Sequence, residues 1–167
     1  MTRSKVLVYK GLPADQVERI RAEHDVIEVD PHRPDQKQAF LDALGEVEGI
    51  VGAPYRIDEA MLDRAKALRV VSTVSVGVDA FPLAALHKRG IALCHTPDVL
   101  TESVADLLMG MVLASSRRIC ELANLVRDGE WKSGVGPALY GWEVQGKTLG
   151  VLGYGRIGLA VARRAAL

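Results

Sequence analysis

Short apolar runs alternate with longer amphipathic segments along the first hundred residues of the chain. A short apolar run is typical of a buried parallel strand, and an amphipathic segment is typical of a covering helix. An aspartate opens several of the predicted helices, where its carboxylate can accept from free amides of the first turn. This alternation predicts an α/β fold built on a parallel sheet. The predicted strands are Lys5–Tyr9, Val26–Val29, Gly49–Gly52, Val70–Thr73 and Ile91–Leu93, and the predicted helices lie near Asp15–Ala22, Asp35–Leu44, Asp58–Ala65 and Pro82–Lys88.

The pattern changes at Thr101, where apolar residues begin to recur at spacings of three and four. Such spacing predicts one long amphipathic helix from Ser103 to Arg127, with Ser103 and Asp106 as a capping box and Asp128–Gly129 as its end. A wide apolar face of this kind needs a large partner, either a second domain or a second subunit. The residues that form it are Val104, Leu107, Leu108, Met111, Val112, Ile119, Leu122 and Val126.

The segment from residue 130 to 145 has no clear periodicity and combines glycines with three large aromatic residues, Trp131, Tyr140 and Trp142. Aromatic side chains of this size usually bury most of their surface, so we expect the three rings to be covered. Two arrangements satisfy this expectation. The loop folds back on its own chain, or it reaches across to a second copy of the chain.

A glycine turn lies between a predicted strand at Lys147–Leu152 and a predicted helix at Ile157–Ala166. Its G-x-G-x-x-G spacing is typical of turns that bind the pyrophosphate of a dinucleotide. In such turns Gly153 permits the tight turn out of the strand, and Gly155 lets the backbone approach the phosphates. Gly158 then lets the helix pack closely on the strand.

The backbone amides near Arg156 and Ile157 are predicted to face the phosphate oxygens, because a helix N-terminus attracts anions. The guanidinium of Arg156 can add a charge-assisted contact. A merely structural turn is the alternative, and the strand-like and helix-like flanks favour the dinucleotide. The residue that selects NAD or NADP lies ~20 residues further along the chain, beyond Leu167, so both stay candidates for the cofactor.

The composition narrows the class of partner. Lys and Arg together number 21, as do Asp and Glu, so the 167-residue chain carries no formal net charge at pH 7. Neither nucleic acid nor an acidic membrane surface is expected to bind such a chain. We expect a cytoplasmic protein, because the N-terminus lacks a signal-peptide pattern and no apolar run reaches about 18 residues. Cys94 and Cys120 are predicted to be small buried residues, with neither a disulfide nor a metal site.

Three motifs together resemble the D-isomer-specific 2-hydroxyacid dehydrogenases: Ser75–Asp79 (SVGVD), Thr96–Asp106 (TPDVLTESVAD) and the turn Gly153–Gly158 (GYGRIG). Within that family the chain looks most similar to the glyoxylate/hydroxypyruvate and 2-ketogluconate reductases. The resemblance implies a flavodoxin-like parallel-sheet substrate domain at residues 1–100, lacking its C-terminal return segment. It also implies that residues 101–167 hold the linker helix, the aromatic loop and the truncated start of a Rossmann nucleotide-binding domain.

The resemblance assigns Val76 and Gly77 to the loop whose backbone amides receive the substrate carboxylate. A glycine turn at the carboxyl edge of a parallel sheet can form such an anion nest, although an ordinary strand-to-helix turn has the same pattern. Tyr55, after another predicted strand, is a further candidate for the same cleft. Val104 matches a family position beside the nicotinamide, and taken alone it is the first apolar residue of a helix. Residues 79–82 depart from the family pattern.

The reaction that the resemblance implies is reduction of a small 2-keto acid, such as glyoxylate, hydroxypyruvate or a keto-sugar acid, with NADPH or NADH. The implied assembly is a homodimer formed through Ser103–Arg127 and the loop that follows. The family's catalytic arginine, glutamate and histidine lie beyond Leu167, so we expect the chain alone to be inactive. Two alternatives stay open: a non-catalytic binding or dimerisation fragment, and a portion of another family member such as a phosphoglycerate or formate dehydrogenase. Surface or structural roles are expected for the four histidines, His24, His32, His87 and His95.

Overall fold

The structure is a computed structural model that describes residues 3–166. The chain divides between Pro97 and Asp98 into two compact units. The N-terminal unit (residues 3–97) contains a sheet and its connecting helices, and the C-terminal unit (residues 98–166) is mainly helical.

A five-stranded parallel sheet organises the N-terminal unit, with the strand order β2-β1-β3-β4-β5. The order reverses direction between β1 and β3, which is the flavodoxin-like version of a doubly wound sheet. This arrangement confirms the predicted α/β fold. The strands are β1 (Lys5–Val8), β2 (Asp25–Glu28), β3 (Gly49–Gly52), β4 (Val70–Thr73) and β5 (Ala92–Cys94).

Seven helices accompany the strands in the described residues: α1 (Ala14–Glu23), α2 (Lys37–Ala43), α3 (Glu59–Arg64), α4 (Leu83–Lys88), α5 (Thr101–Ser116), α6 (Ile119–Arg127) and α7 (Arg156–Ala165). Asp58 caps α3 by accepting from the amide of Met61 at 2.9 Å, as expected for an aspartate at a helix start. Neither Asp15 nor Asp35 has this role, because α1 begins after Pro13 and α2 follows a short 3-10 turn.

Apolar side chains from three neighbouring strands form the centre of the N-terminal unit. Leu7 of β1, Ile50 of β3 and Val71 of β4 are almost completely buried. Phe40 of α2 and Leu86 of α4 belong to the same core and are equally buried. Burial of each such side chain contributes about 1.5–3 kcal/mol, which fixes the sheet edge from which the candidate site projects.

Four rings form an aromatic cluster that includes the residue following β1. Tyr9 lies edge-on to Phe40 with ring centroids 5.9 Å apart and to Tyr55 with centroids 6.4 Å apart. His32 also lies edge-on to Tyr55, at 5.2 Å. Tyr55, a sequence candidate for the substrate cleft, is therefore half-buried in a structural cluster. The Tyr9 hydroxyl is buried without a hydrogen-bond partner among the described residues, and burial raises its pKa to about 12.

The single helix predicted from Ser103 to Arg127 is wrong, because the chain breaks at Arg118 and forms α5 and α6. Arg118 adopts a left-handed conformation with φ 55°. The carbonyl of Ser116 accepts from the amide of Trp142 at 2.6 Å instead of continuing the helical ladder. Gly141 lies so close that a Cβ on it would be 2.7 Å from Arg117 Cα. A tertiary contact, invisible in the periodicity, therefore divides the helix.

The predicted capping box at Ser103 is also wrong. Helix α5 begins two residues earlier, at Thr101, and its N-cap residue Leu100 provides no side-chain hydrogen bond. Ser103 lies inside the first turn and donates its hydroxyl to the carbonyl of Leu100 at 3.1 Å. The spacing between Ser103 and Asp106 fits a capping box, but Ser103 is not the N-cap residue of the helix.

The expected strand at Lys147–Leu152 does not form in the described residues. A strand exists only by pairing, and the C-terminal unit provides no second strand in the part that the structure describes. Leu149 and Leu152 are consequently exposed, as expected for a Rossmann strand without neighbours. Burial of the aromatic loop on its own chain is likewise wrong, because Trp131, Tyr140 and Trp142 are all more than half exposed. Contact with a second copy stays a prediction.

Both cysteines contradict the expectation of burial. Cys94, at the end of edge strand β5, and Cys120, in the first turn of α6, carry free and exposed thiols. Within residues 3–166 no group of three histidine, cysteine, aspartate or glutamate side chains is arranged to hold a metal ion. None of the helices described is both long and apolar enough to cross a membrane.

Candidate functional site

The loop after β4 contains the two residues assigned to the substrate carboxylate, Val76 and Gly77. Both follow directly from the carboxyl end of a central strand, where parallel sheets bind ligands. The amides of Val76, Gly77 and Val78 donate to no acceptor within the described N-terminal unit. Free amides in consecutive positions form the partial positive charge that an anion nest requires.

Three consecutive carbonyl groups of the same loop, in contrast, each have a partner. The carbonyl of Ser75 accepts from the amide of Thr96 at 2.9 Å, and the carbonyl of Val76 lies 2.9 Å from Nδ1 of His95. The carbonyl of Gly77 accepts from the hydroxyl of Ser75 at 2.7 Å. The loop is therefore held on its acceptor side while its donor side is left open.

The glycine turn in the C-terminal unit has the backbone shape that dinucleotide binding requires. Gly153 has φ 91°, a conformation that residues with a Cβ rarely adopt. Gly155 is the N-cap of α7 without a side-chain cap, so the first amides of that helix are open to a ligand. A Cβ built on Gly155 would meet no atom within 4 Å, which leaves room for a close approach to the backbone.

Gly158 provides the closest backbone approach in the turn. A Cβ at this position would lie 2.1 Å from the carbonyl oxygen of Gly153 and 3.2 Å from a methyl group of Val151. Any larger side chain must push α7 away from the segment that precedes it. The residues present therefore fit a dinucleotide, because the turn is tight at Gly158 and open at Gly155.

Arg156 and Ile157 occupy the first turn of α7, and they differ in surroundings. The Arg156 guanidinium is exposed and forms an ion pair with Asp98 through Nε and Oδ1 at 2.7 Å. Ile157 is half-buried against the small core of the C-terminal unit. Val104 lies half-buried in the first turn of α5, and its amide donates to the carbonyl of Leu100 at 2.9 Å.

Helix α7 is fixed on α5 by a small apolar contact and by a charged group. Ala105 of α5 is buried against Ala160 and Val161 of α7. Arg164 donates to carboxylate oxygens of Glu102 and Asp106, each at 2.7 Å. These hydrogen bonds raise the pKa of Arg164 above its usual range, and the bond to Glu102 has the larger effect. The contact holds the glycine turn because α7 begins directly after it.

Two residues of these loops were not singled out as site residues from the sequence. Asp98 has φ 70° and pairs with Arg156, although the two lie far apart in the sequence. His95 reaches the carbonyl of Val76, which agrees with the surface or structural role expected for it, but the partner was not predicted. The TPD motif, which follows His95 and contains Asp98, was the sequence feature that could have drawn attention to them. Spacing along the chain, however, does not indicate which residues are in contact. Of the other histidines, His32 pairs with Asp30 at 3.1 Å, and His87 lies exposed in the last turn of α4.

Comparisons with known proteins agree on one family for this chain. The pattern described as "D-isomer specific 2-hydroxyacid dehydrogenase, catalytic domain" matches residues 6–159. Glyoxylate/hydroxypyruvate reductase B of Yersinia enterocolitica is 46% identical over 163 residues, covering 98% of this chain and 50% of that protein. The enzyme of the same name from Cronobacter sakazakii is 45% identical with the same coverage. The chain thus spans about half the length of these relatives.

Solved structures give the same result. A protein from Thermus thermophilus has a TM-score of 0.83 and 42% identity, covering 97% of this chain and 52% of that one. The NADPH-dependent glyoxylate/hydroxypyruvate reductase of Sinorhizobium meliloti, solved with NADP and malonate, has a TM-score of 0.81 and 30% identity. The match covers 99% of this chain and 50% of that one. The sheet order, the loop after β4 and the glycine turn all lie within the part of the chain that matches, which is nearly its whole length. The chain belongs to the D-isomer-specific 2-hydroxyacid dehydrogenase family.

Proposed function

We propose that this chain carries the substrate-carboxylate loop and the cofactor-phosphate turn of an NAD(P)-dependent reductase that converts a small 2-keto acid to the D-2-hydroxy acid. The observation that carries the proposal is the pair of free amides at Val76 and Gly77, in a loop where three consecutive carbonyls, from Ser75 to Gly77, accept hydrogen bonds. Amides in that state are ready to donate to a carboxylate. Glyoxylate, hydroxypyruvate or a keto-sugar acid is the proposed substrate, since related proteins bear the names of such reductases.

A nicotinamide dinucleotide is the proposed cofactor, either NADP or NAD. Gly153, Gly155 and Gly158 would shape the turn around its pyrophosphate, and the amides of Arg156 and Ile157 would donate to the phosphate oxygens. When bound, such a cofactor supplies the hydride for carbonyl reduction. Val104 is proposed to pack beside the nicotinamide. Arg156 can reach a phosphate only by leaving or sharing its contact with Asp98.

The proposed division of labour follows the two units. Residues 1–100 would be the substrate-binding domain, and residues 101–167 would be the linker helix, the aromatic loop and the first part of the nucleotide-binding domain. The change from a parallel sheet to helices between Pro97 and Asp98 supports this division. We also propose a cytoplasmic location, because the two exposed thiols of Cys94 and Cys120 are typical of a reducing compartment.

The chain alone is proposed to bind its ligands weakly and to perform no turnover. Carbonyl reduction needs a proton donor at the carbonyl oxygen and a cation for the carboxylate. His95, the histidine that contacts the carboxylate loop, uses its Nδ1 for the carbonyl of Val76. The family resemblance places the catalytic arginine, glutamate and histidine outside these 167 residues.

We expect purified chain 1–167 to show no measurable oxidation of NADPH or NADH with glyoxylate or hydroxypyruvate. In 15N spectra, NADPH should shift the amides of residues 155–158, because these amides face the phosphates. Nicotinamide mononucleotide, which lacks the pyrophosphate, is the control ligand and should shift them less. Rapid oxidation would contradict the proposed inactivity, and unchanged amides at 155–158 would contradict the cofactor turn.

A second candidate function is a non-catalytic binding or dimerisation module, and the apolar surface of α5 favours it. Ala105 and Met109 face α7, while Leu107 and Met111, one turn apart from each other, are both more than half exposed. Neighbouring apolar side chains that are exposed on one helix are typical of association sites. A homodimer through Ser103–Arg127 and the following loop serves either function, since an enzyme of this family and a module would both need that surface covered.

The dimer is tested by replacing two of its exposed apolar residues with charge. The chain is expected to sediment at twice its 18.1 kDa mass at micromolar concentration. The double variant Leu107→Glu, Met111→Glu should sediment as a monomer, because two buried carboxylates have no partner in the interface. Leu83→Glu is the matched control, since Leu83 is similarly exposed on α4 in the N-terminal unit. A monomeric parent chain, or a dimeric double variant, would show that this surface is not the interface.

A further inference from the structure

The loop proposed to bind the substrate carboxylate is held by hydrogen bonds to its carbonyl groups. Three consecutive carbonyls, those of Ser75, Val76 and Gly77, each accept a hydrogen bond. In a planar trans peptide the carbonyl of one residue and the amide of the next point in opposite directions. Holding these three carbonyls therefore turns the amides of Val76, Gly77 and Val78 away from the groups that hold them.

The proton positions in this network follow from donor and acceptor chemistry. The carbonyl of Val76 can only accept, so the Nδ1 atom of His95 must carry a proton. The hydroxyl proton of Ser75 is used on the carbonyl of Gly77, so the hydroxyl of Thr73 donates to Ser75 Oγ at 2.9 Å. Thr73 is almost completely buried at the end of β4, which anchors this relay in the rigid sheet.

The other two anchors are the backbone amide of Thr96 and the hydroxyl of Ser75, which belongs to the loop itself. His95 is the one anchor that is a side chain from outside the loop. It follows β5, and β5 pairs in parallel with β4 through Val71 and Leu93. The pairing places the ends of both strands at one sheet edge, so the imidazole crosses from the β5 loop to the β4 loop. Its contact orients the peptide between Val76 and Gly77, whose amide belongs to Gly77.

We propose that His95 is a positioning residue for the carboxylate-binding loop: its Nδ1–H holds the carbonyl of Val76 and thereby aims the Gly77 amide at the substrate carboxylate. This inference rests on the proposed function, because it assigns a task within the same loop. His95 touches neither the substrate carbonyl nor the cofactor in this role. It acts through the backbone, and its loss frees one peptide plane to rotate.

The test uses 15N-labelled chain 1–167 with oxamate, a 2-keto-acid analogue that cannot be reduced as a ketone. The variants are His95→Ala, His95→Asn and His87→Ala. Asparagine keeps a side-chain N–H close to the position of Nδ1, and His87 is an exposed histidine outside the loop. Because a hydrogen bond contributes about 1 kcal/mol, His95→Ala should raise the dissociation constant for oxamate about fivefold. His95→Asn should recover most of the affinity, and His87→Ala should leave it unchanged.

Two further readouts separate positioning from general loss of structure. Long-range 15N spectra of the imidazole should show a proton on Nδ1 of His95 in the parent chain. In His95→Ala, the amide of Gly77 should lose order while the amides of β4 keep their shifts. If the alanine variant fails to fold, the test rests on His95→Asn. The positioning role then requires that this variant fold and bind oxamate with close to the parent affinity.

The outcomes distinguish this inference from the proposed function. Oxamate shifts at Val76 and Gly77 in the parent, with equal affinity in His95→Ala, would overturn the positioning role and leave the carboxylate loop standing. An absence of shifts at both amides in the parent would contradict the carboxylate loop itself, and the positioning role with it. An imidazole without a proton on Nδ1 would also overturn the role of His95.

Discussion

Gly158→Ala is expected to release α7 from the glycine turn and to eliminate the NADPH-dependent shifts at residues 155–158. The added Cβ would lie 2.1 Å from the carbonyl oxygen of Gly153, which is backbone and cannot rotate away as a side chain could. Overpacking of this kind costs about 1–3 kcal/mol, and a backbone neighbour places this case at the upper end. Hydrogen exchange of the α7 amides should therefore accelerate by about a hundredfold.

Two other glycines provide matched controls for this prediction. Gly110 lies within α5 with no atom within 4 Å of an added Cβ, so Gly110→Ala should stabilise that helix by about 1 kcal/mol. Gly155→Ala also meets no neighbour and should leave exchange of α7 unchanged. Its methyl group would nevertheless occupy the space proposed for the pyrophosphate, so its NADPH shifts should weaken. Normal exchange in Gly158→Ala would show that the turn tolerates a Cβ, contrary to the geometry.

Tyr9→Phe is expected to raise the free energy of unfolding by about 1 kcal/mol at neutral pH and by about 1 kcal/mol more at pH 11. The hydroxyl of Tyr9 is buried without a partner in the described residues, and an unsatisfied buried polar group costs on the order of 1 kcal/mol or more. Phenylalanine keeps the edge-on contacts with Phe40 and Tyr55. Chemical denaturation followed by circular dichroism at pH 8 and pH 11 measures both effects.

The pH dependence follows from burial of the phenol, which raises the pKa of Tyr9 from 10.0 to about 12. Between these values the unfolded chain has released the proton and the folded chain has kept it. The stabilisation that the folded chain gains by keeping this phenol neutral is therefore fully present below pH 10, and it is lost as the pH rises towards 12. Tyr140→Phe is the control, since Tyr140 is exposed. If the parent and Tyr9→Phe chains lose stability equally between pH 8 and 11, the Tyr9 hydroxyl is not held in a dry environment.

The parallel sheet was predictable because its strands are short apolar runs, and those of β1, β3 and β4 contribute buried side chains to the core. Runs such as Lys5–Tyr9 and Gly49–Gly52 are apolar and short, and their observed bounds differ by at most one residue. The glycine turn at Gly153–Gly158 was predictable for a similar reason, since only glycine tolerates φ 91° and so close a backbone contact. In both places a local steric or burial rule allows few alternatives.

The errors fall where distant residues decide the conformation. Periodicity predicts one helix through Arg118, but the amide of Trp142 captures the carbonyl of Ser116 and ends it. Apolar residues predict a strand at Lys147–Leu152, but a strand needs a neighbour, and the described C-terminal unit offers none. Trp131 and Cys120 are hydrophobic enough to predict burial, yet both are exposed in the part of the chain that the structure describes.

The family and the parallel α/β fold could be inferred from the sequence, as could the two turns that we propose for the substrate carboxylate and the cofactor phosphates. These depend on composition, spacing and the steric freedom of glycine, which are properties of a few adjacent residues. The contact of His95 with Val76, the ion pair of Asp98 with Arg156 and the separation of α5 from α6 could be seen only in the folded chain. Such contacts depend on where chain segments far apart in sequence meet in space, and no local pattern specifies that meeting.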